Sequence, residues 1–287
     1  TVFIPLTAGD SPQGITYVPG IGVYVVCNGA NQIKLVNIYT RTVTSSVASP
    51  VTPYQIIFEP TINRLFVIGA LAGDLWEYNA STGALVTTIT TGLTQPDCVT
   101  YEPSINTLFV AGNGSSDFCI IPRSTNIPSA PIATVTNPKS ILSNGSNVWI
   151  AGLTDIEVVD FTGTSLTVIN QPGLQGNGMT YNAGIMYVVD TTDQLVLTFD
   201  ATTFTLISTF PLDTGAKRIT FGGNHLWVSQ QGNSTVRPFL LDCNDSLPPF
   251  TMVNRNIKLN WDLEFRFFDN TEIYTISQEL NRPSPSR

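Results

Sequence analysis

The chain has 287 residues and a net charge of −8, and its charged fraction of 12% is about half the usual level of roughly 25%. It has no cluster of lysine and arginine, which argues against binding to nucleic acid or to an anionic membrane surface. No apolar run approaches the length of about 18 residues that a membrane span needs, so insertion into a bilayer is not expected.

One short pattern, an aromatic residue inside an apolar segment, recurs at intervals of 38 to 43 residues. The aromatic residues are Tyr24, Phe66, Phe109, Trp149, Tyr187 and Trp227. A short apolar segment precedes each of them, and a polar turn and a third strand-like segment follow. A fourth segment, rich in Thr and Ser, ends the first five repeats. This period in an all-strand sequence predicts a β-propeller with one blade per repeat.

The repeats divide residues 1–242 into six predicted blades. The blades are expected at about 10–50, 51–92, 93–136, 137–173, 174–215 and 216–242. The sixth repeat lacks a fourth segment, and the first residues of the chain share Pro-Leu-x-x-Gly with the end of the fifth repeat. The N-terminal strand 1–8 is therefore predicted to complete the sixth blade and close the ring. A seven-bladed propeller with an irregular C-terminal blade is the alternative.

Three segments carry a family resemblance. Residues 24–28 read Tyr-Val-Val-Cys-Asn and are followed at 33–37 by Ile-Lys-Leu-Val-Asn, and residues 199–203 read Phe-Asp-Ala-Thr-Thr. Over about residues 1–242 the chain resembles the YVTN/NHL-type β-propeller repeat family. The resemblance implies the fold and leaves the function open, because that family includes surface proteins, enzyme domains and interaction modules.

The residues expected at the mouth of the central channel lie just before each innermost strand. The same position in the six repeats holds Gln13, Tyr54, Asp97, Lys139, Asn177 and Lys217. One carboxylate and two ammonium groups do not suit Ca²⁺, which takes about six to eight oxygen ligands. The ring predicts either a site for a small polar ligand or a water-filled mouth. Neither a metal nor a cofactor is predicted.

The sequence shows no familiar catalytic constellation. His225 is the single histidine, and no CxxC pair occurs, so histidine-based or thiolate metal sites and a Ser–His–acid triad are not expected. No catalytic residue is assigned. The cysteines are expected to be buried free thiols, since Cys98 and Cys119 would lie on non-adjacent strands of one blade.

Residues 243–287 break the repeat and form a predicted C-terminal extension for docking or assembly. Apolar and polar residues alternate from 257 to 267, which is typical of a strand with one apolar face. The apolar residues are Ile257, Leu259, Trp261, Leu263, Phe265 and Phe267. An isolated hairpin is marginal in water, so this face is expected to pack on the propeller, or to bind a protein partner or another copy of the chain.

These features favour a non-catalytic propeller, not an enzyme, that serves as an interaction module and is anchored by its C-terminal strand. The low charge and the many Thr, Ser and Asn residues favour an extracellular, cell-surface or virion-surface location. One alternative is a glycan- or peptide-binding adhesin with Trp76 and Tyr39 as stacking platforms. A second alternative is a hydrolase or lyase that uses Asp97 and Lys139 in the channel.

Overall fold

Within each sheet of the computed structural model of the chain, strands that are neighbours in sequence pair antiparallel. The structure describes residue 6 and residues 9–240, except 38, 41, 72, 223, 224 and 231–234. These residues belong to one unit, Pro5–Met252. The predicted N-terminal strand 1–8 lies outside the described residues apart from Leu6, and the C-terminal extension with its apolar face at 257–267 lies wholly outside them.

The first three sheets each correspond to one sequence repeat. The first contains β1 (Pro12–Val18), β2 (Gly22–Cys27), β3 (Gln32–Asn37) and β4 (Thr42–Ala48). The second contains β5 (Pro53–Glu59), β6 (Arg64–Gly69), β7 (Asp74–Asn79) and β8 (Leu85–Thr90). The third contains β9 (Pro96–Glu102), β10 (Thr107–Gly112), β11 (Asp117–Pro122) and β12 (Ile132–Ala133), with a 3-10 helix at Pro103–Ile105.

The next three sheets repeat this arrangement. The fourth contains β13 (Ser140–Ser143), β14 (Val148–Ala151), β15 (Asp155–Val159) and β16 (Ser165–Asn170). The fifth contains β17 (Gly176–Asn182), β18 (Ile185–Asp190), β19 (Leu195–Asp200) and β20 (Leu206–Pro211). The sixth contains β21 (Ala216–Gly222), β22 (His225–Gln230) and β23 (Thr235–Leu240). The predicted all-β architecture of the propeller type is confirmed.

In the first five sheets, burial falls from the second strand to the fourth. The repeat aromatics of the first five sheets are at most 2% exposed: Tyr24, Phe66, Phe109, Trp149 and Tyr187. The innermost strand of each sheet packs against that of the next, from β1 and β5 through to β17 and β21. Each fully buried large apolar side chain contributes roughly 1.5–3 kcal/mol. The apolar segments of the repeats therefore form the contacts between the sheets.

A short acidic or amide residue closes the turn between the third and fourth strands in several sheets. The Asp200 carboxylate accepts hydrogen bonds from the backbone N–H groups of Thr202 and Thr203, both at 2.8 Å. Asn79 and Asp160 close equivalent turns. These bonds hold the pKa of Asp200 below its usual value. The motif that carries the family resemblance is thus a turn in which the side chain caps its own backbone.

One buried carboxylate joins the second sheet to the third. Glu77 is 2% exposed and accepts from Arg64 Nε at 2.9 Å and from Arg123 Nη2 at 2.5 Å. The Arg123 guanidinium also lies 5.2 Å from the ring centroid of Phe66. Two cations therefore compensate the buried charge of Glu77. The Glu77–Arg123 pair fixes the spacing between the second and third sheets.

Three of the four cysteines, Cys27, Cys98 and Cys119, are buried free thiols, as expected. Cys243 lies outside the described residues. Within the described part of the chain, no helix is both long and apolar enough for a membrane span.

The first sheet contains a buried ion pair where the fifth sheet has an apolar contact. Lys34 Nζ lies 2.5 Å from Asp10 Oδ2, and the two residues are 6% and 4% exposed. By strand register, the equivalent residues of the fifth sheet are Leu197 and Leu174, which share one apolar cluster. Removing two charges from water costs several kcal/mol per ion, which their attraction offsets only in part.

We expect the double substitution Asp10→Leu/Lys34→Leu to leave the free energy of unfolding equal to or above that of the natural chain. The single substitution Asp10→Leu should lower it by about 3–5 kcal/mol, because it removes the carboxylate that compensates the buried charge of Lys34. Urea unfolding of the three proteins measures both effects. A double variant no more stable than the single variant would contradict this expectation.

Candidate functional site

A β-bulge lies at the start of the innermost strand in five of the six sheets. In the second sheet, Pro53 faces Gly69 and Gln55 faces Ile68, so Tyr54 has no opposite residue. The residues within the five bulges include Gln13, Tyr54, Asp97, Asn177 and Lys217. A bulge interrupts the alternation of a strand and redirects one side chain. Five of the six mouth residues that the sequence predicts therefore occupy one repeated irregularity of the fold.

The sixth predicted residue, Lys139, lies directly before β13. Its backbone N–H donates to the Ala151 carbonyl at 2.8 Å, and the next residue, Ser140, pairs with Ala151 in the regular register. Lys139 thus takes the place in the fourth sheet that the bulge residue takes in the others.

Two glycines allow the innermost strands to approach each other closely near the bulges. A Cβ atom on Gly14 would lie 2.9 Å from the Tyr54 carbonyl oxygen, and one on Gly178 would lie 3.0 Å from the Cα atom of Arg218. A larger residue at either position would push the strands apart. The close approach brings side chains from neighbouring sheets within reach of one another.

Asp97 provides a buried carboxylate at this site. It is 6% exposed, and its Oδ2 accepts a hydrogen bond from Asn113 Nδ2 at 3.1 Å. Lys139 Nζ lies 3.9 Å from the same oxygen. Burial raises the pKa of Asp97, although the Asn113 hydrogen bond and the charges of Lys139 and Arg218 oppose the rise. Asp97 is consequently a stronger base than an ordinary aspartate.

Tyr54 and Arg218 form a second contact at the site. The Arg218 guanidinium carbon lies 6.0 Å from the centroid of the Tyr54 ring, at the outer limit of a cation–π contact. Arg218 Nη1 donates to the Asn177 carbonyl at 2.6 Å. Burial, and then the charge of Asp97, raise the pKa of Tyr54, so its phenol keeps its proton at neutral pH.

The structure groups four of the predicted mouth residues, namely Tyr54, Asp97, Lys139 and Asn177. Gln13 and Lys217 are exposed, and neither forms a side-chain hydrogen bond or salt bridge with the described residues. Sequence reasoning missed Asn113 and Arg218. Asn113 follows Gly112, which faces the Asp97 bulge, and Arg218 directly follows the Lys217 bulge. Both residues could have been found from the strand pairing within each blade, which places them beside the bulges.

The site is cationic although the chain as a whole is acidic. Lys139 and Arg218 contribute two positive charges near the carboxylate of Asp97, in a chain of net charge −8. In the described part of the chain, no group of three or more His, Cys, Asp or Glu residues could hold a metal ion. The groups present are a base, a phenol and several cations, which suit acid–base chemistry on an anionic or carbonyl-containing molecule.

Comparison with known proteins identifies the fold. No family model matches the sequence, and no curated protein matches it. Virginiamycin B lyase from Staphylococcus aureus has a TM-score of 0.66 at 15% identity, over 83% of this chain and 87% of that chain. A streptogramin B lyase has a TM-score of 0.68 at 15% identity, over 82% and 85%. Hydrazine synthase of Kuenenia stuttgartiensis has a TM-score of 0.59 at 13% identity, over 82% and 97%.

These similarities correct the predicted function. The three solved structures named above are enzymes, and this finding contradicts the prediction of a non-catalytic display module and the prediction that the chain is not an enzyme. At 13–15% identity the likeness itself shows the fold alone. The adhesin alternative has no support from its aromatic residues: Trp76 is partly buried and packs against Tyr78, although Tyr39 is exposed. A familiar catalytic motif lies within one stretch of sequence, whereas this candidate site combines side chains from separate repeats.

We expect Asp97→Asn to increase the thermal stability of the protein at neutral pH. A raised pKa means that the folded state favours the protonated acid, so ionisation of Asp97 opposes folding once the pH exceeds the ordinary aspartate value of 3.8. The gain in melting temperature should therefore disappear as the pH falls below that value. Melting temperatures of both proteins between acid and neutral pH test the expectation.

Asp200→Asn is the matched control and should behave in the opposite way. The lowered pKa of Asp200 means that its ionised form favours folding above pH 3.8, and this contribution is lost as the pH falls. A loss of stability at neutral pH for Asp97→Asn equal to that of Asp200→Asn would refute the assignment.

Proposed function

We propose that this mouth is the active site of an enzyme that removes a proton beside a carbonyl group and eliminates a leaving group, as a lyase does. The observation that carries the proposal is the buried Asp97 carboxylate, which has a raised pKa and an ammonium group 3.9 Å away. A carboxylate in this environment can accept a proton from carbon more readily than a solvated one.

Asp97 acts as the general base. Asn113 holds Oδ2 through its hydrogen bond of 3.1 Å, which orients the carboxylate toward the substrate. The Asp97 oxygen takes the proton from the carbon beside the substrate carbonyl, and the electron pair of the broken C–H bond forms the new C=C bond. Lys139 stabilises the negative charge that develops on the carbonyl oxygen, because it is a fixed cation beside the base.

Tyr54 acts as the general acid. The bond between the neighbouring carbon and the leaving oxygen breaks, its electron pair stays on that oxygen, and the Tyr54 hydroxyl supplies the proton. The pKa of Tyr54 is raised chiefly by burial, so the phenol is protonated before the reaction. Solvent afterwards restores the proton of Tyr54 and removes the proton from Asp97.

Two of the similar structures carry the name lyase, which supports this class of reaction. Their identity of 15% is too low to transfer individual residues. The assignment of Asp97, Lys139 and Tyr54 therefore rests on the contacts of this chain.

We also propose that the six sheets form a closed six-bladed ring of the YVTN/NHL type, completed by the N-terminal strand 1–8. Within the described residues the sixth sheet has three strands, whereas each of the others has four. Arg218 of the sixth sheet contacts both Asn177 of the fifth and Tyr54 of the second. These contacts across the array of sheets support a closed ring.

The function is tested by incubating the purified protein with a panel of small β-hydroxy acids, their esters and lactones. We expect a new conjugated double bond, detected by ultraviolet absorption and mass spectrometry. Asp97→Asn should lower the rate about 10²–10⁴-fold, which is the usual contribution of a general base.

Glu157→Gln is the matched control. Glu157 is another buried acid, 8% exposed, but it lies on the third strand of the fourth sheet and accepts a hydrogen bond from Thr134. This variant should react at the natural rate. No turnover of any compound in the panel, or an unchanged rate in Asp97→Asn, would exclude the proposed function.

A further inference from the structure

We infer that the substrate carries a carboxylate group, which binds to Arg218 and Lys217 on the side of the mouth formed by the sixth sheet. This inference rests on the proposed function, because it assigns the substrate class of the same site. It adds two residues that the elimination step does not use and gives them a binding role.

Both cations lack a carboxylate partner among the described residues. The salt bridges in this part of the chain involve Lys34, Arg64, Arg123 and Lys139, and none involves Arg218 or Lys217. Both residues are exposed, and they are consecutive at the start of β21. Exposed positive charges of an acidic protein that have no carboxylate partner among the described residues attract anions and raise their local concentration. The ligand is therefore expected to be negatively charged.

The Arg218 side chain is held in place for binding. Nη1 donates to the Asn177 carbonyl at 2.6 Å, and the guanidinium lies 6.0 Å from the Tyr54 centroid. An arginine side chain has five N–H donors in a planar fork, and Nη1 is the atom of Arg218 that forms a side-chain hydrogen bond with the described residues. A planar fork matches the two oxygens of a carboxylate better than a lysine does.

Arg218 and Asp97 are suited to bind two different parts of one substrate. Arg218 is close enough to influence the Asp97 carboxylate, yet the two do not form a salt bridge. A carboxylate on Arg218 would place the adjacent carbon between the guanidinium and Asp97. The reacting proton would then face the base, and the cations would offset the charge of the intermediate. A β-hydroxy carboxylate has this arrangement of acid, α-proton and leaving oxygen.

The inference is tested by calorimetric titration with three probes. Malate carries two carboxylates and a hydroxyl group, malamide is its uncharged diamide, and inorganic phosphate is an anion of different geometry. We expect the natural protein to bind malate and to bind phosphate more weakly, without detectable binding of malamide. Arg218→Gln should weaken malate binding about tenfold or more, since a hydrogen bond to a charged group contributes roughly 1.5–3 kcal/mol.

Arg64→Gln is the matched control. It removes one positive charge at the end of the β5–β6 pair that lies away from Tyr54, and the salt bridge between Arg123 and Glu77 remains. Its affinity for malate should equal that of the natural protein. No binding of malate, equal binding of malamide, tighter binding of phosphate, or unchanged binding in Arg218→Gln would each overturn the inference.

Asp97→Asn separates this inference from the proposed function. If malate binds to this variant and turnover in the panel is lost, both proposals are supported. If turnover is unchanged in Asp97→Asn while Arg218→Gln still loses malate, the carboxylate site stands and the proposed reaction fails. If Asp97→Asn abolishes turnover but Arg218→Gln binds malate normally, the reaction stands and the carboxylate site fails.

Discussion

The close packing of the innermost strands is the constraint on which the rest of the structure depends. Neighbouring sheets cover both faces of the buried strands, so a polar side chain in the middle of a strand would lose its contact with water. Polar side chains that need contact with water are therefore expected at strand ends. The bulges at these ends meet this constraint, since each redirects one side chain at the start of its strand while the following residues continue the apolar pairing. Gly14 and Gly178 allow adjacent strands to approach closely, and beside Gly178 the Arg218 side chain reaches the Asn177 carbonyl.

Buried charges serve different purposes in this fold. Glu77 has two arginine partners at 2.9 Å and 2.5 Å and joins two sheets. Asp97 has one amide donor and a lysine at 3.9 Å, so its charge is less completely compensated. Incomplete compensation opposes folding at neutral pH and increases basicity at the same time. This combination is typical of a functional group rather than a structural clamp.

The fold could be inferred from the sequence and the function could not, because the two depend on different interactions. The period of the aromatic residues follows from strands and turns within one repeat, so it indicated the sheets and also the position of Tyr54, Asp97, Lys139 and Asn177. Function depends on which side chains from separate repeats meet. The equivalent position in each repeat pointed to Lys217, whereas the neighbouring residue, Arg218, is the one that contacts Tyr54. No local motif pointed to Asn113. The prediction of a non-catalytic role rested on the lack of familiar motifs, although a propeller can assemble a site from single residues of several repeats.

The sequence by itself determined the all-β propeller-type fold, the six repeats and the repeated position at the start of each innermost strand. These features arise from the alternation of apolar and polar residues, from turn residues and from a fixed repeat length, all of which can be read from the sequence. Only the tertiary structure decided that Asp97 is buried, that Lys139 and Asn113 reach its carboxylate, and that Arg218 lies near Tyr54. The physical reason is that desolvation and charge coupling depend on distances between atoms whose residues are as much as 164 positions apart, as for Tyr54 and Arg218.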